Sequence, residues 1–99
     1  MSTLAELAIF PLDKGESVSE YVAKVLKIIQ QSNLEHQLTP MGTCIEGEFD
    51  DIMNIVSKCF KALEPECNRI YLTLKIDFRK NRKNALKQKI KSVEDKLHD

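Results

Sequence analysis

Apolar and polar side chains alternate without a break along the segment 70–79. In a β-strand, successive side chains point to opposite faces of the sheet, so this alternation predicts a strand with one face on a hydrophobic core. The segments 4–12, 35–39 and 41–48 show shorter patterns of the same kind and are also predicted as strands. Pro11 ends the first of them, because proline cannot donate the main-chain hydrogen bond that a central strand needs.

Three further segments carry apolar residues at helical spacing. The first helix is predicted over 17–33, since Ser17 and Glu20 have the spacing of a capping box. The second is predicted over about 50–65, and the third over about 81–97. The apolar stripe of the third is narrow, which is typical of a helix that packs on one partner. This stripe consists of Leu86, Ile90, Val93 and Leu97.

The predicted order is strand, helix, strand, strand, helix, strand, followed by an extra helix. This is the split βαβ pattern of the ferredoxin-like fold, an α+β class, and residues 1–99 are predicted to form one such domain with a C-terminal helix at about 81–97. Right-handed crossovers place both main helices on one face of the sheet and leave the other face open. The first strand carries apolar side chains on both of its faces, so we expect the open faces of two identical chains to pack together.

Composition narrows the classes of function. The 15 basic and 15 acidic residues cancel, which argues against a nucleic-acid-binding protein. No segment has the roughly 20 apolar residues of a membrane span, and residues 1–12 lack the basic start of a signal peptide. Three cysteines without metal-ligand spacing favour reduced thiols, so we expect a cytoplasmic protein without a metal site. Of these, Cys44 and Cys59 are predicted to be small core residues.

Positive charge is concentrated at the end of the chain. Residues 79–99 hold eight Lys or Arg and three Asp or Glu. Four of these bases gather at the predicted start of the last helix, where they could hold an anion such as sulfate or phosphate. They are Arg79, Lys80, Arg82 and Lys83. A solvated helix face rich in lysine is the alternative interpretation of the same charges.

Catalytic motifs are missing from the sequence. It has no phosphate-binding loop, dinucleotide fingerprint, zinc-protease motif or nucleophile elbow, so neither an enzyme nor a cofactor is predicted. Glu6 and Glu46 stand out instead, because each lies on a predicted strand among apolar residues, where an unpaired carboxylate would be costly. Either they pair with Lys75 or Arg79 across the sheet or remain exposed, or one of them binds a polar or cationic ligand.

Several segments resemble the thiamine-binding protein family in order and spacing. The most specific is 38–47, Leu-Thr-Pro-Met-Gly-Thr-Cys-Ile-Glu-Gly, which contains the Pro and Gly pattern of a type I turn. The segments 10–12, 17–22 and 74–79 support it, and the resemblance extends over about 4–97. It implies a ferredoxin-like domain with an added helix, which forms homodimers through its sheets and often homotetramers. It also implies binding of a small ligand without catalysis.

The resemblance implies thiamine or a related pyrimidine as the ligand. Helix starts suit polar ligand groups, and carboxylate and hydroxyl oxygens suit an aminopyrimidine. Together with the match to the family pattern, these grounds give the predicted ligand-binding residues Ser17, Ser19, Thr43, Glu46, Glu6 and Lys75. Of these, Lys75 would suit a phosphorylated or sulfate-like ligand. The alternative function is an oligomeric structural or regulatory protein that binds small anions at the basic helix start. A hydrolase such as an acylphosphatase is disfavoured, because the glycine-rich anion loop of that activity is missing.

Overall fold

The protein is built on a sheet of four antiparallel strands in the order β2-β3-β1-β4. The computed structural model describes residues 2–81 and 85–97. Along the chain, its elements are β1 (Ser2–Pro11), α1 (Ser19–Gln31), β2 (Glu35–Thr39), β3 (Gly42–Gly47), α2 (Phe49–Leu63), a 3-10 turn (Glu64–Glu66), β4 (Ile70–Arg79) and α3 (Ala85–Leu97). The predicted α+β class, ferredoxin-like topology and order of elements are confirmed.

The hydrophobic core lies between one face of the sheet and the helices α1 and α2. The central strand β1 alternates strictly, with every second residue from Thr3 to Pro11 buried. From the helices, α1 buries Tyr21, Val25 and Ile29 against it, and α2 buries a longer apolar stripe. Both main helices therefore cover the same face of the sheet, as right-handed crossovers require.

Helix α1 begins at Ser19, two residues after the predicted bound of 17. Its N-cap residue is Val18, and no side chain caps the helix. Ser17 lies in the preceding turn, where its N–H donates to the carbonyl of Lys14 at 3.1 Å. Gly15 adopts a positive φ in the same segment. The turn that Gly15 permits extends the chain past Ser17, so the predicted pairing of Ser17 with Glu20 as a capping box is wrong.

In the edge strand β4 and in β3, the burial of some side chains differs from what the sequence pattern predicted. Of the apolar residues of β4, Ile76 and Phe78 remain 41% and 52% exposed. Because β4 is at the edge of the sheet, its side chains have a neighbouring strand on one side only. Cys44 was predicted in the core, but it lies half-buried on the open face, because Ile45 takes the core side of β3. Cys59 is fully buried, as predicted.

Helix α3 begins over the open face of the sheet. Ala85 is fully buried there, and α3 contacts both β1 and β3. Exposure of its apolar stripe then rises along the helix, to 59% at Val93 and 76% at Leu97. Most of the predicted stripe is therefore exposed in the single chain.

Candidate functional site

The segment that carries the family resemblance forms the hairpin between β2 and β3. Thr39 pairs with Gly42 across the turn, and its hydroxyl donates to the Gly42 carbonyl at 2.9 Å. The same hydroxyl accepts the N–H of Met41 at 3.3 Å. Neither Pro40 nor Met41 has a positive φ, in keeping with the predicted type I turn.

Gly42 is needed because the hairpin lies against β1. A Cβ at this position would lie 2.9 Å from the carbonyl oxygen of Leu7, closer than real contacts allow. The glycine therefore lets the tip of the hairpin approach the main chain of the central strand.

A cleft opens where the hairpin ends. Strand β1 has ten residues and β3 has six. Pairing of β1 with β3 covers Thr3 to Leu7, whereas its pairing with β4 continues to Pro11. Among the described residues, no strand lies beside the last residues of β1 on the β3 side. Helix α1 crosses this end of the sheet, and the space enclosed is about 280 Å³.

The walls of the cleft are apolar. Helix α1 contributes Val22, Val25 and Leu26, the end of β1 contributes residues 7–10, and the hairpin contributes residues 38–43. None of the described residues that line the cleft is charged. The arrangement suits a small, uncharged or delocalised ring better than an inorganic anion.

The structure does not bring the six predicted ligand residues together. Thr43 lines the cleft and is 5% exposed. Ser17 precedes α1 and Ser19 is its first residue, and both are exposed. Helix α1 lines the cleft only from Val22 onward. Glu6, Lys75 and Glu46 belong to the open face of the sheet.

Glu6 and Lys75 are directly opposite each other on β1 and β4. Their charged groups are 3.9 Å apart, and both side chains are partly exposed. This is the cross-strand pair that the sequence offered as the structural alternative for Glu6. Cys44 is the partner of Glu6 on the other side, and burial, followed by the charge of Glu6, raises the pKa of its thiol.

Glu46 has a structural contact that the sequence did not predict. Its carboxylate accepts hydrogen bonds from the N–H of Ala85 at 2.6 Å and of Leu86 at 3.2 Å. These two groups belong to the first turn of α3, whose N–H groups have no partner within the helix. A carboxylate at this position also suits the positive end of the helix dipole. Glu46, at 7% exposure, therefore caps α3 from across the sheet.

The predicted basic cluster is only partly described. Arg79 is the last residue of β4, and Lys80 follows it; both are exposed. Arg82 and Lys83 lie outside the described residues. Within the described ranges, no group of three or more His, Cys, Asp or Glu side chains is arranged to hold a metal ion. In the same ranges, no helix combines the length and hydropathy needed to cross a membrane.

Sequence reasoning missed most of the cleft. Val22 and Leu26 belong to the apolar spacing that predicts the first helix, and the segment 4–12 is predicted only as a strand. The predicted segments 4–12 and 41–48 differ in length by only one residue, so their lengths gave no sign that the pairing of β1 with β3 ends at Leu7.

Comparison with solved structures defines the class of protein, a small ferredoxin-like α+β domain. The crystal structure of the hypothetical protein MJ1052 from Methanocaldococcus jannaschii matches with a TM-score of 0.86 and 34% identity, covering 93% of this chain and 95% of that one. The structure of a putative thiamine biosynthesis/salvage protein from Thermotoga maritima matches with a TM-score of 0.82 and 22% identity, covering 93% and 99%. The second likeness shows the fold alone.

Sequence comparison identifies the family. The profile of the thiamine-binding protein family matches residues 5–94. The chain is 34% identical over 90 residues to the UPF0045 protein MJ1052, which covers 91% of this chain and 90% of that protein. It is 35% identical over 96 residues to the UPF0045 protein YqgV of Bacillus subtilis, covering 91% and 92%. The chain belongs to the thiamine-binding protein family.

Proposed function

We propose that this protein binds thiamine or a related pyrimidine in the apolar cleft between α1 and the hairpin. One observation carries the proposal: the segment 38–43, which is part of the run that resembles the family most specifically, supplies a wall of the cleft. The volume of about 280 Å³ is slightly below the roughly 300–1,000 Å³ typical of small-molecule sites. The cleft therefore suits one heteroaromatic ring, with the rest of a larger ligand outside it.

The charge around the cleft favours a neutral or cationic ligand over an anion. Its lining carries no basic residue among those described. Glu6 lies outside the cleft, on the open face of the sheet, where its Cγ is 3.5 Å from the position that a Cβ at Gly42 would take. We assign to Glu6 the carboxylate that balances a thiazolium ring, while the aminopyrimidine occupies the cleft.

The proposed role is binding without catalysis, performed by a homo-oligomer. Phe10 and Tyr71 form a stacked pair on the open face, with ring centroids 5.4 Å apart, and Tyr71 remains 49% exposed. An aromatic pair of this kind gains most from being covered by a second apolar surface. We propose that two copies associate through this part of their sheets, with tetramers as a further step of assembly.

Calorimetry on a matched pair of variants tests the cleft. In Val22→Phe the larger ring fills the space beside the hairpin, so we expect binding of thiamine to weaken at least about tenfold. Ala23→Phe adds the same ring at the next residue of the same helix, which is exposed and outside the cleft lining. Its thiamine affinity should stay within about twofold of the unmodified protein.

Hydroxymethylpyrimidine and sulfate complete the experiment. We expect calorimetry to detect heat of binding with the pyrimidine and none with sulfate. No heat with thiamine or the pyrimidine at millimolar concentration would remove the proposed function. Sulfate binding that Val22→Phe leaves intact would favour the alternative, an oligomeric structural or regulatory protein that binds anions incidentally.

A further inference from the structure

Two contacts determine to which neighbouring strand each main-chain N–H and C=O of β1 points. The carbonyl oxygen of Leu7 points towards β3, since it lies 2.9 Å from where a Cβ of Gly42 would be. On the other side, the N–H of Leu12 donates to the carbonyl of Arg69, just before β4, at 2.8 Å. Main-chain groups of alternate residues in a strand point to the same side. Odd-numbered residues of β1, including Ile9, therefore direct their N–H and C=O towards β3.

At Ile9 this direction leads into the cleft. The ladder between β1 and β3 ends at Leu7, and among the described residues no strand pairs with that side of Ile9. The next residue that points the same way is Pro11, which has no N–H. Ile9 therefore presents one donor and one acceptor, side by side, within a cleft whose side chains are mostly apolar.

We propose that the cleft recognises a planar heterocycle carrying a hydrogen-bond donor next to an acceptor, and that this edge pairs with the main chain of Ile9. The inference rests on the proposed function and specifies the ligand chemistry it requires. In an aminopyrimidine, the exocyclic amino group donates to the carbonyl of Ile9. The adjacent ring nitrogen accepts from the N–H of Ile9, so the ring continues the ladder that β3 leaves unfinished.

Two features of the site fit this occupant. The main-chain pair supplies specificity without a charged side chain, which agrees with the uncharged lining. Val22 and Met41, on opposite walls, offer apolar contact to the ring. Met41 is 82% exposed at the tip of the hairpin, and its flexible thioether adapts to flat ligands.

Amide hydrogen exchange in the free protein tests the orientation of Ile9 without any ligand. The N–H of Ala5 points the same way but is paired with β3 opposite Ile45. By nuclear magnetic resonance, we expect the Ile9 amide to exchange at least about tenfold faster than the Ala5 amide. Equal protection of the two amides would overturn the inference and leave the proposed function untouched.

A pair of ligands tests the recognition itself. Hydroxymethylpyrimidine with its 4-amino group should shift the Ile9 amide resonance and slow its exchange. The Ala8 amide, which points towards β4, is the internal control and should change little. Removal of the 4-amino group should weaken binding about three- to tenfold, the effect of one hydrogen bond.

Each outcome of the ligand experiment is decisive. Binding that moves the Ile9 amide and depends on the amino group supports the inference. Binding of both compounds with equal affinity, or with no change at Ile9, overturns it while the proposed function stands. If neither pyrimidine binds and thiamine does not bind either, both the inference and the proposed function are overturned.

Discussion

The carboxylate of Glu46 on β3 accepts hydrogen bonds from the main chain of Ala85, 39 residues later in the sequence, and from the residue after it. The contact fixes the start of the C-terminal helix on the open face of the sheet. The Glu46 carboxylate therefore has a structural role on the open face, whereas the cleft lies between α1 and the hairpin.

Replacement of Glu46 by Gln tests this cap. The amide keeps one acceptor oxygen but loses the charge and puts N–H donors next to those of the helix. We expect the free energy of unfolding to fall by about 0.5–2 kcal/mol, the usual effect of losing a cap. Urea unfolding measures the change, with Glu16→Gln in an exposed loop as control. Thiamine affinity that falls together with the stability would show that Glu46 also contacts ligand.

The substitution Glu6→Gln should lower the affinity for a cationic ligand but not for a neutral one. Loss of the Glu6 carboxylate is expected to weaken the binding of thiamine about two- to fivefold, the effect of a partly exposed charge pair. Hydroxymethylpyrimidine, which lacks the thiazolium charge, should bind as before. Calorimetry with both ligands makes the comparison, and equal losses for the two would exclude a charge-balancing role for Glu6.

Two glycines of β3 provide a test of the hairpin. Gly42→Ala places a Cβ against the main chain of Leu7, which cannot move aside, so we expect a loss of about 1–3 kcal/mol in unfolding free energy. For Gly47→Ala the nearest atoms to the new Cβ belong to the flexible side chain of Leu34, so this substitution should cost less. Urea denaturation of both variants measures the difference. A Gly47→Ala variant as unstable as Gly42→Ala would contradict this explanation.

The Cys59 thiol predicts a dependence of stability on pH. Burial raises its pKa from the ordinary value of 9.0 to about 11, because the thiolate is poorly solvated in the core. The folded state therefore holds this proton more tightly than the unfolded state between these values. Its stabilising effect is complete below pH 9 and is lost as the pH rises towards 11.

A matched variant isolates the contribution of that thiol. Cys59→Ala should be less stable at pH 8 but should lose less stability than the unmodified protein when the pH is raised from 8 to 10.5. Thermal unfolding at the two pH values provides the measurement. Equal losses of stability in the two proteins would show that the pH dependence comes from other groups. Alkylation of the native protein at pH 8 should also spare Cys59.

Assembly through the open face is tested by Tyr71→Lys. A charged side chain in place of the exposed ring should disfavour packing of one sheet on another, so the mass by light scattering should fall by at least half. Phe60→Lys makes the same type of change on α2, on the other side of the molecule, where the aromatic ring is 37% exposed. The control should keep the mass of the parent protein. A parent protein of about 11 kDa at micromolar concentration would end the proposal.

Local patterns sufficed for most of the fold. The bounds of β2 and β4 were predicted to the residue, because alternation and turn residues act within a few positions. The start of α1 was not, since the turn at Gly15 competed with the capping signal of Ser17. Cys44 was predicted in the core but lies on the open face, because a shift of one residue along a strand exchanges its two faces.

The sequence by itself determined the α+β topology, the hairpin at 39–42 and the resemblance to the thiamine-binding protein family. All of these rest on local periodicity, turn chemistry and short motifs. The tertiary structure alone decided that Glu46 caps α3, that Glu6 pairs with Lys75, and that a cleft opens past Leu7. The physical reason is that these relationships depend on strand register and on where paired strands end, which join residues far apart in the chain.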